Sequence, residues 1–279
     1  MHDVFYFTDI HGCDRLFNRI MMWIKNQDKE STIIFGGDAC DRGNGGYQIM
    51  RNLLDDPYVI YLKGNHEDLF VKAADAMLKS GAYKDGNDGI EDMMWKDDDV
   101  YLAVRNGGAP TLLGWINDGA SHDFVDRIRE LPLTFCYGKY DFCHAGASYK
   151  YFKEVNQAEY METTPDPIAA KAVIWDRNCW GLGWKKDRIC VHGHTPTPLL
   201  PSKFYGTKDK SEAHAHPAKW YGPFEPKRFP GLKVDMDTGA VWTGRIWVLN
   251  VLTGKATSFT TNPIDSSSRI DIGLENFEI

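Results

Sequence analysis

"VFYFTDIHGC", residues 4–13, decides how this chain folds. Val4-Phe5-Tyr6-Phe7 is an unbroken apolar run, the pattern of a strand buried on both faces. It runs straight into Asp9, His11 and Gly12. Burying ionisable groups without partners is costly, so a buried strand that ends in a carboxylate and an imidazole needs partners from elsewhere in the chain.

The pattern recurs along the sequence. "TIIFGGD" at 32–38 is a second short apolar run, followed by "ACDRG" with Asp41 and Arg42. "YVIYLKGN" at 58–65 is a third, and it opens into Asn65, His66 and Glu67. Between these runs, "DRLFNRIMMWIKNQ", "YQIMRNLL" and "EDLFVKAADAMLKS" carry apolar residues at helical spacing, with Asp14 a candidate N-cap. This β-α-β-α-β-α order predicts a mostly parallel sheet covered by helices.

Residues 81–131 read as helical and loop-rich, ending in "SHDFVDRIRELP" with Ser121 as N-cap and Pro132 as stop. After them "LTFCYGKYDFCHAG" reads as a hairpin turning at Gly138-Lys139. "DRICVHGHT" at 187–195, "GLKVDMDTGA" and "GRIWVLNVLTGKATSFT" complete a β-rich second half. One domain over 1–279 is expected, with an insertion or lid at 196–231 and a polar, peripheral tail at about 266–279.

The 279 residues suffice for a sizeable core, and 43% hydrophobic with 25% charged residues is the balance of a globular protein. A net charge of −7 argues against a broad nucleic-acid-binding surface. No apolar run approaches a membrane span, and the first strand leaves no room for a signal peptide, so a cytoplasmic location is expected. The six cysteines form no CxxC pair and read as reduced thiols, mostly buried. Asp97-Asp98-Asp99 reads as a solvated stretch.

In a sheet of this kind the loops beyond the carboxyl ends of the strands form the ligand crevice. Five strand exits therefore converge with Asp9, His11, Asp38, Asn65, His144 and His194. Carboxylates and neutral imidazoles without thiolates suit manganese, iron or zinc, and argue against a structural zinc. Asp38 is best placed to bridge two ions. Two divalent ions about 3.5–4 Å apart lower the pKa of a shared water and clamp a phosphoryl oxygen.

"TDIHG", "GGDACDRG", "GNHE", "HAG" and "GHT" together resemble the metal-dependent phosphoprotein phosphatase superfamily, the calcineurin-like metallophosphoesterases. Within it the chain is similar to bacterial and bacteriophage serine/threonine phosphatases and to dinucleoside-polyphosphate hydrolases, over residues 4 to about 250. The resemblance implies an α/β, four-layer α-β-β-α sandwich with two mixed β-sheets and a di-metal site at the strand C-terminal loops. It implies that Asp9, His11 and Asp38 hold one divalent ion and Asp38, Asn65, His144 and His194 the other, manganese being the expected metal. It further implies that His66 protonates the leaving oxygen, oriented by Asp41, and that Arg42 and Arg177 bind phosphoryl oxygens while a metal-activated hydroxide attacks phosphorus in line. "NGG" at 106–108 also resembles relatives' sequences around the substrate cleft.

Three departures stand out. Thr8 replaces the glycine usual before Asp9, "HAG" replaces "HGG", and 196–231 is long. The expected partner is a phosphorylated protein or peptide, with hydrolysis of diadenosine tetraphosphate as the alternative and Trp180, Trp184, Tyr205 and Trp220 as candidate base-stacking residues. A non-catalytic metal-dependent scaffold is the alternative of another class. His192 reads either as support for His194 or as the end of its strand. His214, His216 and the lysines of 203–219 read as a solvated loop.

Overall fold

The computed structural model describes residues 2–177, 184–199, 218–220, 232–261 and 269–271. Its first strand, β1 (Val4–Phe7), explains the opening apolar run. Phe5 and Phe7 enter one core with Ile33 and Phe35, while Val4 and Tyr6 enter a second with Ile34, Phe142, Val191 and Trp247. Successive side chains of a strand point to opposite faces, so a strand with a core on each side must be apolar throughout.

β1 pairs in parallel with β2 (Thr32–Phe35), which pairs in parallel with β3 (Val59–Tyr61). On the other side β1 meets β9 (Arg245–Asn250) antiparallel, followed by β10 (Lys255–Thr260) and β11 (Arg269–Asp271). The second sheet runs β4 (Thr134–Tyr137), β5 (Tyr140–Cys143), β6 (Ile189–His192), β8 (Leu232–Asp235), β7 (Ala218–Trp220). β5, β6 and β8 are parallel and the outer pairs antiparallel. Both sheets are therefore mixed.

Three cores separate four layers. The first packs the larger sheet under α1 (Asp14–Gln27), α2 (Gly46–Asp55), α3 (Asn65–Ser80), α4 (Gly86–Met94), α5 (Asp98–Arg105), α6 (Ala109–Asn117) and α7 (His122–Arg129). The second lies between the sheets. The third packs the smaller sheet against α8 (Tyr149–Tyr160) and α9 (Pro167–Trp175). The four-layer sandwich with two mixed sheets is present.

Several local expectations hold and some do not. Ser121 caps α7, accepting from the Phe124 N–H, and the hairpin turns at Gly138-Lys139. Asp97 is a cap as well, accepting from the Asp99 and Val100 N–H groups, so this acidic stretch starts α5. Asp14 is the first residue of α1, not its cap, because the Cys13 backbone occupies that position. The two helices α8 and α9 interrupt the half of the chain that reads as β-rich. The second carries its own start signal, Asp166 capping Ile168 and Ala169 with Pro167 in the first turn.

Of the 196–231 segment, the described parts are a 3-10 turn at Thr197–Leu199 and β7, an edge strand; the remainder lies outside the described residues. Of the 266–279 tail, β11 forms an edge of the larger sheet and the final residues lie outside the described set. Cys13, Cys40, Cys136, Cys143 and Cys190 are free thiols; Cys136 is exposed. No helix among the described residues is long and apolar enough to cross a membrane.

Candidate metal centre and active site

The exits of β1, β2, β3, β5 and β6 meet at one edge of the two sheets and bring all ten sequence-predicted residues into one neighbourhood. The backbone there is held in an unusual form. Asp9, His11, Asp38, Asp41, Arg42 and His194 all have φ between +43° and +74°, six of the nine non-glycine residues with positive φ among those described. Each left-handed residue costs on the order of 1 kcal/mol. Interlocked bonds hold them: the Asp9 N–H donates to Gly37 O, the His11 N–H to Asp38 O and the Arg42 N–H to Gly107 O, at 2.9–3.0 Å. The "NGG" loop thus packs on Asp41 and Arg42.

Glu67, which sequence reasoning left without a role, is the hub of this scaffold. Its buried carboxylate accepts four hydrogen bonds, from the Gly64, Asp38 and Ala39 N–H groups and the Tyr61 hydroxyl, at 2.8–2.9 Å. It ties the turn after β2 to the start of α3. Its position three residues after Gly64, at the N3 site of a helix, is the signal that could have exposed it.

The imidazoles have assignable tautomers because their partners have fixed roles. A carbonyl only accepts, so His11 Nδ1–H donates to Cys40 O and His144 Nδ1–H to Gly36 O. An arginine only donates, so His11 Nε2 and His66 Nε2 accept from the two forks of Arg42, at 2.8 and 3.1 Å. His66 Nδ1–H then donates to Asp41 Oδ2 at 2.7 Å.

Two donor groups result, sharing Asp38. His11, Asp38 and His66 form one, and Asp38, His144 and His194 the other, with ligand atoms mutually within 4.8 Å. In the second, His144 Nε2 faces Asn65 Oδ1 at 3.0 Å and Asp38 Oδ1 at 3.3 Å. A neutral His144 would set its Nε2 acceptor against two further acceptors. His194 Nδ1 lies 2.8 Å from Asn65 Oδ1, while its Nε2 is buried with no hydrogen-bond partner. Converging lone pairs with too few protons are what a cation site presents, and carboxylate, carboxamide and imidazole donors fit divalent ions such as manganese.

Electrostatics point the same way. Burial works against a charged His144, yet the Asp38 carboxylate outweighs it and raises the ring to about 10. Burial likewise opposes ionisation of Asp38, but His144 and His66 hold its carboxyl well below the usual range. Burial raises Asp9 to about 6. His66 is raised despite burial, by Asp38 and Asp41. His11 and His194 are pushed down, chiefly by burial.

Asp9 belongs to neither donor group. Its carboxylate accepts from Thr8 Oγ1 at 2.6 Å and from the His194 N–H at 3.2 Å. The threonine in place of glycine therefore engages the carboxylate itself. Arg177 sits beside the second group, donating to His194 O at 3.2 Å. His192 is buried against Gly146, outside both groups. Trp184 is buried in the third core, so it offers no surface for a base. Trp180, Tyr205, His214 and His216 lie outside the described residues, as does the Trp220 side chain.

The sequence profile of the calcineurin-like phosphoesterases matches residues 3–229. No curated protein matches the chain by sequence. Among solved structures, the chain is similar to a cold-active protein tyrosine phosphatase, at 11% identity and a TM-score of 0.50, over 93% of this chain and 76% of that one. A putative diadenosine tetraphosphatase (13% identity, 96% and 93% covered, TM-score 0.47) and a serine/threonine phosphatase from Saccharomyces cerevisiae (14%, 91% and 73%, 0.49) are also similar. These likenesses concern the fold. The chain belongs to the calcineurin-like phosphoesterase family, and it is a hydrolase of phosphoric esters.

Proposed function

We propose that this calcineurin-like phosphoesterase is a phosphomonoesterase of the serine/threonine protein phosphatase type, with its substrate phosphate held between the two donor groups. The observation that carries the reading is the His11–Arg42–His66 arrangement beside the Asp38-centred groups. A binding scaffold needs no imidazole backed by a carboxylate at the mouth of a cation site, whereas a leaving alkoxide does.

Asp9, His11 and Asp38 would hold one divalent ion and Asp38, Asn65, His144 and His194 the other. Such ions lower the pKa of a water and neutralise charge on the phosphoryl oxygens. The chain's residues do the rest. Arg42 offers a planar fork that pairs with two phosphoryl oxygens, and Arg177 supplies a second positive charge from the other side. With the Arg42 fork turned from the imidazoles to the phosphoryl oxygens, a doubly protonated His66, held by Asp41 through Nδ1, would carry on Nε2 the proton that the departing oxygen takes. Its raised affinity for protons supports that role at neutral pH. Glu67 keeps Asp38 and His66 in fixed relation by bonding the backbone of one and the helix start of the other.

Burial of Trp184 removes one candidate base-stacking surface and favours the phosphomonoester reading over the dinucleotide one. The test is kcat/KM for a phosphothreonine peptide and for diadenosine tetraphosphate with manganese. A clear peptide preference is expected; dinucleotide preference or no turnover of either overturns the reading.

A further inference from the structure

Among the described residues, an exposed tryptophan stands beside the centre that the reaction as drawn does not use. α10 (Ala240–Thr243) follows β8, and its third residue, Trp242, is 58% exposed. The indole lies over the Arg42 guanidinium, with Cζ 5.4 Å from the ring centre. Pro196 and Trp242 both flank Gly239.

This single turn is unusually well fixed. Gly239 and Gly244 close its two ends with φ of 68° and 63°, a conformation open to glycine without a Cβ penalty. The buried Asp237 carboxylate accepts from the Gly239 N–H at 2.8 Å, and its carbonyl accepts from the Thr197 N–H at 2.7 Å. Thr243 Oγ1 donates to Thr238 O at 2.9 Å, while Thr238 Oγ1 donates to Arg245 O at 2.9 Å. An indole mounted on so constrained a turn loses little conformational freedom when a ligand stacks on it.

Resting on the phosphomonoesterase reading, we propose that Trp242 is a specificity-determining residue, a stacking platform for an aromatic ring joined directly to the phosphate, which sets the site's preference for phosphotyrosine-type aryl esters over alkyl ones. The geometry favours a ring one bridging oxygen from phosphorus. With the phosphoryl group on Arg42, such a ring is within reach of the indole that already lies over the guanidinium at 5.4 Å, and offset or edge-on aromatic pairs form at about 4.5–7 Å between centres. A nucleobase is set back by a whole ribose and its methylene. A phosphothreonine side chain has no ring to present.

The experiment compares wild type, Trp242→Ala and Trp242→Phe on two peptides differing only in phosphotyrosine or phosphothreonine. Taking each variant relative to wild type cancels the intrinsic reactivity of the esters. Trp242→Ala is expected to lower the phosphotyrosine-to-phosphothreonine ratio of kcat/KM about three- to tenfold, through KM, the range aromatic pairs give; Trp242→Phe should keep the ratio within about twofold of wild type. Equal losses on both peptides, carried in kcat, would assign Trp242 to holding Arg42 in place and overturn the proposal. So would an unmoved ratio accompanied by a selective loss on diadenosine tetraphosphate. Wild-type turnover of diadenosine tetraphosphate but of neither peptide would overturn the phosphomonoesterase reading itself.

Discussion

Glu67→Gln is the substitution whose effect follows most directly from the geometry. The carboxylate accepts two hydrogen bonds on each oxygen: Gly64 and Asp38 N–H on Oε2, Ala39 N–H and the Tyr61 hydroxyl on Oε1. Glutamine keeps the shape but turns one oxygen into a donor. If its oxygen takes the Oε2 place, the Tyr61 hydroxyl can rotate to accept from the new NH2, and only the Ala39 N–H is orphaned. The opposite orientation orphans two backbone donors, so the first wins. An unsatisfied buried donor costs about 1–3 kcal/mol, and two charge-assisted bonds fall to neutral ones at about 1 kcal/mol each. Burial and the Asp38 charge already disfavour an ionised Glu67, and the neutral side chain recovers part of that. The net loss is about 2–4 kcal/mol, which for a chain of 279 residues lowers the melting temperature by roughly 3–7 °C. Thermal unfolding of the EDTA-treated protein measures it, with Tyr61→Phe as the milder companion. A melting temperature within about 1 °C of wild type would refute the hub role.

The remaining predictions concern the centre and one remote support. His66→Asn should lower kcat by about 10²–10⁴ while the bound metal content stays at the wild-type level; wild-type kcat would remove it as the acid. Gly193→Ala would set a Cβ 2.0 Å from Asp9 Oδ2, so manganese affinity should fall at least about tenfold by metal titration, the fold surviving. Because His144 is raised to about 10, its stabilisation of the metal-free protein is complete below the unfolded-state value of about 6.5 and is lost as pH rises toward 10. Metal binding at pH 7.5 must therefore release about one proton from His144, visible in calorimetry across buffers of different ionisation enthalpy. Asp141 is fully buried and pairs with Arg188 and the Trp184 indole N–H, so Asp141→Ala should destabilise by about 3 kcal/mol in urea without changing metal affinity.

What the sequence made legible was whatever forced a residue type at a position. β1 needed apolar residues throughout because cores lie on both faces, and the polar exits needed carboxylates and imidazoles because lone pairs converge there. Asp38, His66, His144 and His194 were readable for that reason. Glu67 was not, since its partners are backbone N–H groups that no pattern of side chains announces. Trp242 falls between two strand-like runs, where no pattern gives it a role, and it stands on a turn closed at both ends by glycine. α9 is apolar enough on most sides to be passed over, although Asp166-Pro167 marks its start. Trp184 looked available for stacking because an indole in a loop-like stretch says nothing of the third core that covers it.

Phosphoester hydrolysis is expected to require two cations, one held by Asp9, His11 and Asp38 and the other by Asp38, Asn65, His144 and His194. The most direct measurement is manganese-dependent turnover of a phosphothreonine peptide by the chelated protein, titrated against metal content per chain. Negligible activity without metal is expected, with full activity only as the second equivalent binds and His144→Ala abolishing that second step. Full turnover by the chelated protein, or saturation at one equivalent, would contradict it.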